Sequence, residues 1–172
     1  KTLYIVLIIA VMAVTAITYS LKGLQPDEDA LTVVLVDAQL GTDNASGMAR
    51  RIINYNKAIE KCRVVGINSS SLDPFLDPAA FDFAQAFAQR AEKESADIVV
   101  CDADALKTFA QAGLLLPLSQ DDDLLGTYST PAKGIITQSG RPLFLFWDME
   151  KDYYIGILKN CNNLQQAELL FK

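Results

Sequence analysis

Three short apolar runs decide what this chain can fold into. Leu31–Val36, Arg63–Ile67 and Asp97–Cys101 are each dominated by Val, Ile and Leu, with little polar alternation. A strand with one wet face alternates apolar and polar residues, so runs like these call for cover on both faces, as in a parallel sheet. Helical patterns separate them. Met48, Ile52, Tyr55 and Ile59 recur at helical spacing, with Arg50, Arg51 and Lys57 off that stripe, and Asn44 or Ser46 is placed to cap the helix. Asp77-Pro78 predicts a helix start, with the apolar face made by Phe81, Ala84, Phe87, Ala88 and Ala91. Asp102 or Asp104 predicts the cap of a third helix through Leu106, Phe109 and Ala110. Gly113 ends it and Leu114 makes the apolar contact that accompanies a glycine stop. Strand and helix thus alternate three times, which predicts right-handed parallel crossovers. The pattern then changes. Gly134–Thr137 and Leu143–Trp147 read as a hairpin around Ser139-Gly140, and Tyr153–Leu158 as a further strand. A last helix is predicted from Asn163 to Phe171, with Leu164, Ala167, Leu170 and Phe171 inward. The fold class is α/β: one three-layer domain over residues 31–172, its sheet parallel but mixed at one edge, with helices on both faces.

Ahead of this domain lies a different composition. Thr2–Leu21 is a run of 20 residues without a charge. At about 1.5 Å per residue it spans about 30 Å, the thickness of a bilayer's hydrocarbon core. Residues 1–23 are therefore expected to form one transmembrane anchor, with residues 24–30 as a linker containing Pro26 and three acids. Val14-Thr15-Ala16 leaves a cleaved signal peptide as the alternative. The chain's net charge is −6, and residues 24–172 hold 13 basic against 21 acidic residues, a net of −8. Such a surface repels phosphate backbones, and no basic stripe offsets it, so nucleic acid is not an expected partner.

The chain has no histidine, which removes His-dependent triads and most zinc sites. Its three cysteines, Cys62, Cys101 and Cys161, are widely spaced, and Cys101 sits in an apolar run where a buried free thiol is expected. Gly41 to Gly47 lacks the spacing and the lysine of a phosphate loop. Asp121-Asp122-Asp123 and the acids at 148, 150 and 152 read as solvated surface charge. The expectation is a non-catalytic protein with no cofactor and no metal. What remains is positional. Asp37, Asn68, Ser69, Asp102 and Asp104 stand at the C-terminal ends of the three expected parallel strands, with Gln39 just beyond the first. Open α/β sheets bind ligands at that edge. Carboxylate, amide and hydroxyl groups there suit a sugar, an amino acid or a peptide, and Trp147, the only tryptophan, is a candidate stacking platform.

The stretch Ala96-Asp-Ile-Val-Val-Cys-Asp-Ala-Asp-Ala-Leu-Lys-Thr-Phe-Ala-Gln-Ala-Gly-Leu-Leu-Leu-Pro-Leu118 resembles the extracellular solute-binding proteins of bacterial ABC importers. So does Ser139-Gly-Arg-Pro-Leu143, where that family often carries a hairpin. The resemblance implies one lobe of a periplasmic-binding-protein fold with a ligand cleft at its strand ends, on the extracytoplasmic side of the cell membrane, or secreted if the leader is cleaved. It implies a small polar solute as ligand, with a membrane permease or an envelope protein as a possible partner. Family members clamp ligand between two lobes, and this chain has residues for one. The alternative is an envelope module with a structural or assembly role and no small-molecule ligand.

Overall fold

The computed structural model describes residues 29–38, 45–72, 82–132 and 151–171. In chain order the elements are β1 (Leu31–Val36), α1 (Ala45–Tyr55), β2 (Cys62–Ile67), a 3-10 turn (Ser69–Ser71), α2 (Phe83–Lys93), β3 (Ile98–Asp102), α3 (Ala103–Gln111), α4 (Leu124–Tyr128), β4 (Thr130–Pro131), β5 (Tyr153–Ile157) and α5 (Leu164–Glu168). Among the described residues they build an α/β domain around a five-stranded mixed sheet of order β2-β1-β3-β5-β4.

β1 is central and parallel to both β2 and β3, with Val34 opposite Val65 on one side and Val99 on the other. β5 runs antiparallel to β3 and carries the two-residue β4 at the far edge. The runs of β1 and β3 have the cover that they require, since all six residues of β1 and the first four of β3 are buried, whereas β2, at the end of the strand order, buries only Val64 and Ile67. Alternate residues feed two separate cores. Leu31, Val33, Leu35, Ile98, Val100 and Ile155 face Met48 and Ile52 of α1 and Ala167 of α5. Val34, Val36, Val99 and Cys101 face Phe87 of α2 and Leu106 and Phe109 of α3. Phe109 is fully buried, stacked on Phe87 at 4.1 Å and on Phe83 at 5.3 Å between ring centroids.

Local signals set the helix ends. Asp102 caps α3 by accepting from the Ala105 amide at 2.9 Å. Gly113, at φ +71°, stops it, and the Leu114 amide returns to the Phe109 carbonyl at 3.0 Å. α2 ends the same way with Ser95 at φ +51° in the glycine's place and the Ala96 amide on the Ala91 carbonyl at 2.9 Å.

Three expectations change. The described part of α2 begins at Phe83, capped by Asp82 through the Gln85 amide at 3.1 Å, whereas the Asp77-Pro78 start lies outside the described residues. The last helix is a single turn, so the inward stripe begins at Ala167, and Leu164 at its first position is 40% exposed. Asp123, read from the sequence as solvated charge, caps α4 through the Gly126 amide at 2.8 Å. The hairpin expected around Ser139-Gly140 lies outside the described residues, as does the uncharged run at 2–21. Among the described residues no helix is long and apolar enough to cross a membrane.

Candidate functional site

The connections that leave β1 and β3 decide where a ligand edge can form. β1 hands the chain to α1, which packs on one face of the sheet, while β3 hands it to α3 on the other. The connections after these two neighbouring strands therefore diverge. In open α/β sheets a crevice forms outside the strand ends at such a point.

Asp37 directly follows β1 and Asp102 ends β3. The parallel register ends on the pair Leu35 and Val100, so the C-terminal ends of β1 and β3 are neighbours and Asp37 and Asp102 leave the same rim of the sheet. On the other side the Asp37 amide donates to the Ile67 carbonyl at 3.0 Å. Asp37 then turns into the left-handed region at φ +51°, which aspartate tolerates better than most residues. In that conformation its Oδ1 accepts from the Ser69 amide at 2.8 Å, tying the ends of β1 and β2 together.

The Asn68 side chain turns inward on its own loop. Its Oδ1 accepts from the Ser70 amide at 3.2 Å and the Ser70 hydroxyl at 2.9 Å, while the Ser71 hydroxyl donates to the Asn68 carbonyl at 2.6 Å. Asp104 sits in the first turn of α3, exposed. Asp37, Asn68, Ser69, Asp102 and Asp104 thus share one rim of the sheet. Gln39 and Trp147 lie outside the described residues. Among the described residues no group of His, Cys, Asp and Glu is placed to hold a metal ion.

Sequence reasoning missed a second carboxylate. Asp97, immediately before β3 at the opposite end of the sheet, is fully buried. Its Oδ1 accepts from the amides of Asn162 at 2.9 Å and Asn163 at 3.0 Å, and from the Cys161 thiol at 3.3 Å. Its Oδ2 accepts from the Thr32 amide at 2.8 Å and the Asn163 side-chain amide at 3.2 Å. Burial and, secondarily, the Asp97 charge push the thiols of Cys62 and Cys161 up to about 12. Burial also raises Cys101, with Asp102 adding to it. All three cysteines are free and held as neutral thiols, the opposite of what a nucleophilic cysteine needs.

Comparison of the chain with protein-family models, with curated proteins and with solved structures found no match.

Proposed function

We propose that this chain is a non-catalytic binding domain that takes a small polar solute (a sugar, an amino acid or a peptide) at the rim formed by Asp37, Asn68, Ser69 and Asp102. In this reading residues 1–23 anchor it in the cell membrane with the α/β domain on the extracytoplasmic side, and the domain corresponds to one lobe of an importer's solute-binding protein. The observation that carries the reading is the divergence of α1 and α3 from adjacent strands, with Asp37 and Asp102 at their ends. Asp37 has one carboxylate oxygen on Ser69 and Asp102 has one on Ala105, which leaves each a second oxygen for a ligand's hydroxyl or ammonium.

A second reading is an envelope module that binds protein or has an assembly role alone. It draws on Asn68 and Asp102, whose side chains already satisfy local backbone donors.

A thermal-shift screen of the full chain against sugars, amino acids and short peptides separates the two. The first reading expects a stabilising ligand whose effect is lost in Asp37→Ala and Asn68→Ala. A screen with no stabilising ligand favours the second. The anchor has its own test: the full chain should sediment with membranes and resist high salt, and recovery from the medium with Ile17 at its N-terminus would make the segment a cleaved signal.

A further inference from the structure

The base of the sheet carries a concavity that the rim does not use. It is a groove of about 590 Å³ between the C-terminal ends of α2 and α3 and the segment that follows β5. That volume lies within the range of small-molecule sites, roughly 300–1,000 Å³. Each wall is fixed by backbone hydrogen bonds. The α2 wall is the turn at Ser95, closed by Ala96 on Ala91 at 2.9 Å, and the α3 wall is the turn at Gly113, closed by Leu114 on Phe109 at 3.0 Å. The third wall is joined to the second by the Lys159 amide on the Leu114 carbonyl at 2.8 Å, and it is held down by the Asn162 amide on Asp97 at 2.9 Å. A concavity built this way is organised before any ligand arrives, which lowers the ordering cost of binding.

Its lining divides by chemistry. Phe87, Ala91, Leu114 and Leu158 supply an apolar floor. Glu92 and Lys159 stand among the lining residues with opposite charges, both exposed and neither in an ion pair among the described residues. The groove also receives the C-termini of two helices, whose partial negative charge favours a cation there and adds to Glu92. Asn160 and Asn162 add amide groups near Lys159 in sequence.

We propose that this basal groove binds a small zwitterion with an apolar side chain, an α-amino acid of the leucine or phenylalanine kind. Its ammonium goes to Glu92 and the helix ends, its carboxylate to Lys159 and the asparagine amides, and its side chain to the floor. The site is separate from the rim and stands or falls without it.

Isothermal titration of the full chain with L-leucine and L-phenylalanine is the test. Binding is expected, and N-acetyl-leucine, which lacks the ammonium, and isoamylamine, which lacks the carboxylate, should each bind about tenfold more weakly. Lys159→Gln and Glu92→Gln change exposed side chains and should each weaken binding about tenfold with the melting temperature unchanged. Ala88→Trp, at a half-buried lining position on α2, should fill the groove and abolish binding. Absence of heat at about 10 mM ligand, where even a millimolar site would fill, overturns the proposal. So does equal binding by all three variants. Binding lost in Asp37→Ala but kept in the groove variants also overturns it and moves the amino acid to the rim.

Discussion

At the base of the sheet Asp97 is fully buried and accepts five hydrogen bonds; at the rim, five residues further along the same chain, Asp102 is half-buried and accepts one, from its own helix. Asp37, at the same rim, is exposed and accepts one from Ser69. A carboxylate whose lone pairs are all engaged has nothing left to offer a solute. Its work is structural: Asp97 joins β1 through Thr32 to the segment after β5 through Cys161, Asn162 and Asn163, across 64 to 66 positions of chain. The rim carboxylates hold only local structure and keep acceptor capacity in reserve. The same residue type therefore locks one end of the sheet and leaves the other open.

Breaking the locked end should cost most. Asp97→Ala removes the acceptor of three backbone amides, the fully buried Thr32 among them, and empties a buried site, both of which are expensive. We expect a loss of upward of about 4 kcal/mol in urea unfolding. Asp97→Asn should recover little of it, because a carboxamide brings donors to a place where only donors already point. A loss below about 1 kcal/mol would mean that the base is not locked by this side chain.

Phe109 lies under both ends, on the helix that runs from the Asp102 cap to the Gly113 stop. Phe109→Ala removes a fully buried ring stacked on Phe87 and should cost about 3–5 kcal/mol by the same measurement.

The thiols near Asp97 give the base a pH signature. Cys62 and Cys161 lose their protons near 9 when unfolded but near 12 when folded. Above pH 9 the folded chain therefore holds more protons than the unfolded one, and stability must fall as pH rises toward 12. The fall should be shallower in a Cys62→Ser, Cys161→Ser double variant. An unchanged slope would show that the thiols titrate normally.

Part of this was legible in the sequence and part was not, for a physical reason. Capping is local: Asp102 and its partner Ala105 are three residues apart, and Gly113 and Leu114 adjoin the helix that they end, so both signals stand in one window of sequence. The runs of β1 and β3 were equally legible, because burial on both faces leaves a continuous apolar string, and Val34 and Val99 are fully buried as that string implied. Asp97 gave no such signal. At the head of an apolar run it reads as a strand boundary, and its five donors come from residues that only the fold brings near. β4 escaped for another reason: two residues, one of them Pro131, carry no periodicity. Of the rim, the positions of Asp37, Asn68, Ser69 and Asp102 were legible from strand ends, but the left-handed turn that aims Asp37 at Ser69 was not.

Smaller effects separate the two helix ends at the base. Gly113→Ala puts a Cβ on a φ of +71° with no atom within 4 Å, so only backbone conformation opposes it, and about 1 kcal/mol should be lost. Ser95→Gly at φ +51° should gain up to about 1 kcal/mol by relieving the same conformation at the end of α2. At the rim, Asp102→Ala should cost only about 1 kcal/mol, the worth of a helix cap.

Hydrogen exchange measured by mass spectrometry on the full chain, with and without a solute from the thermal-shift screen whose stabilising effect is lost in Asp37→Ala, tests the division between the two ends most directly. A polar solute should slow exchange in peptides covering Asp37–Ala38 and Asn68–Leu72, while Asn162 and Asn163, already bound to Asp97, stay slow in both states. Protection confined to the base, with the Asn68–Leu72 peptide unchanged at saturating solute, would contradict the account.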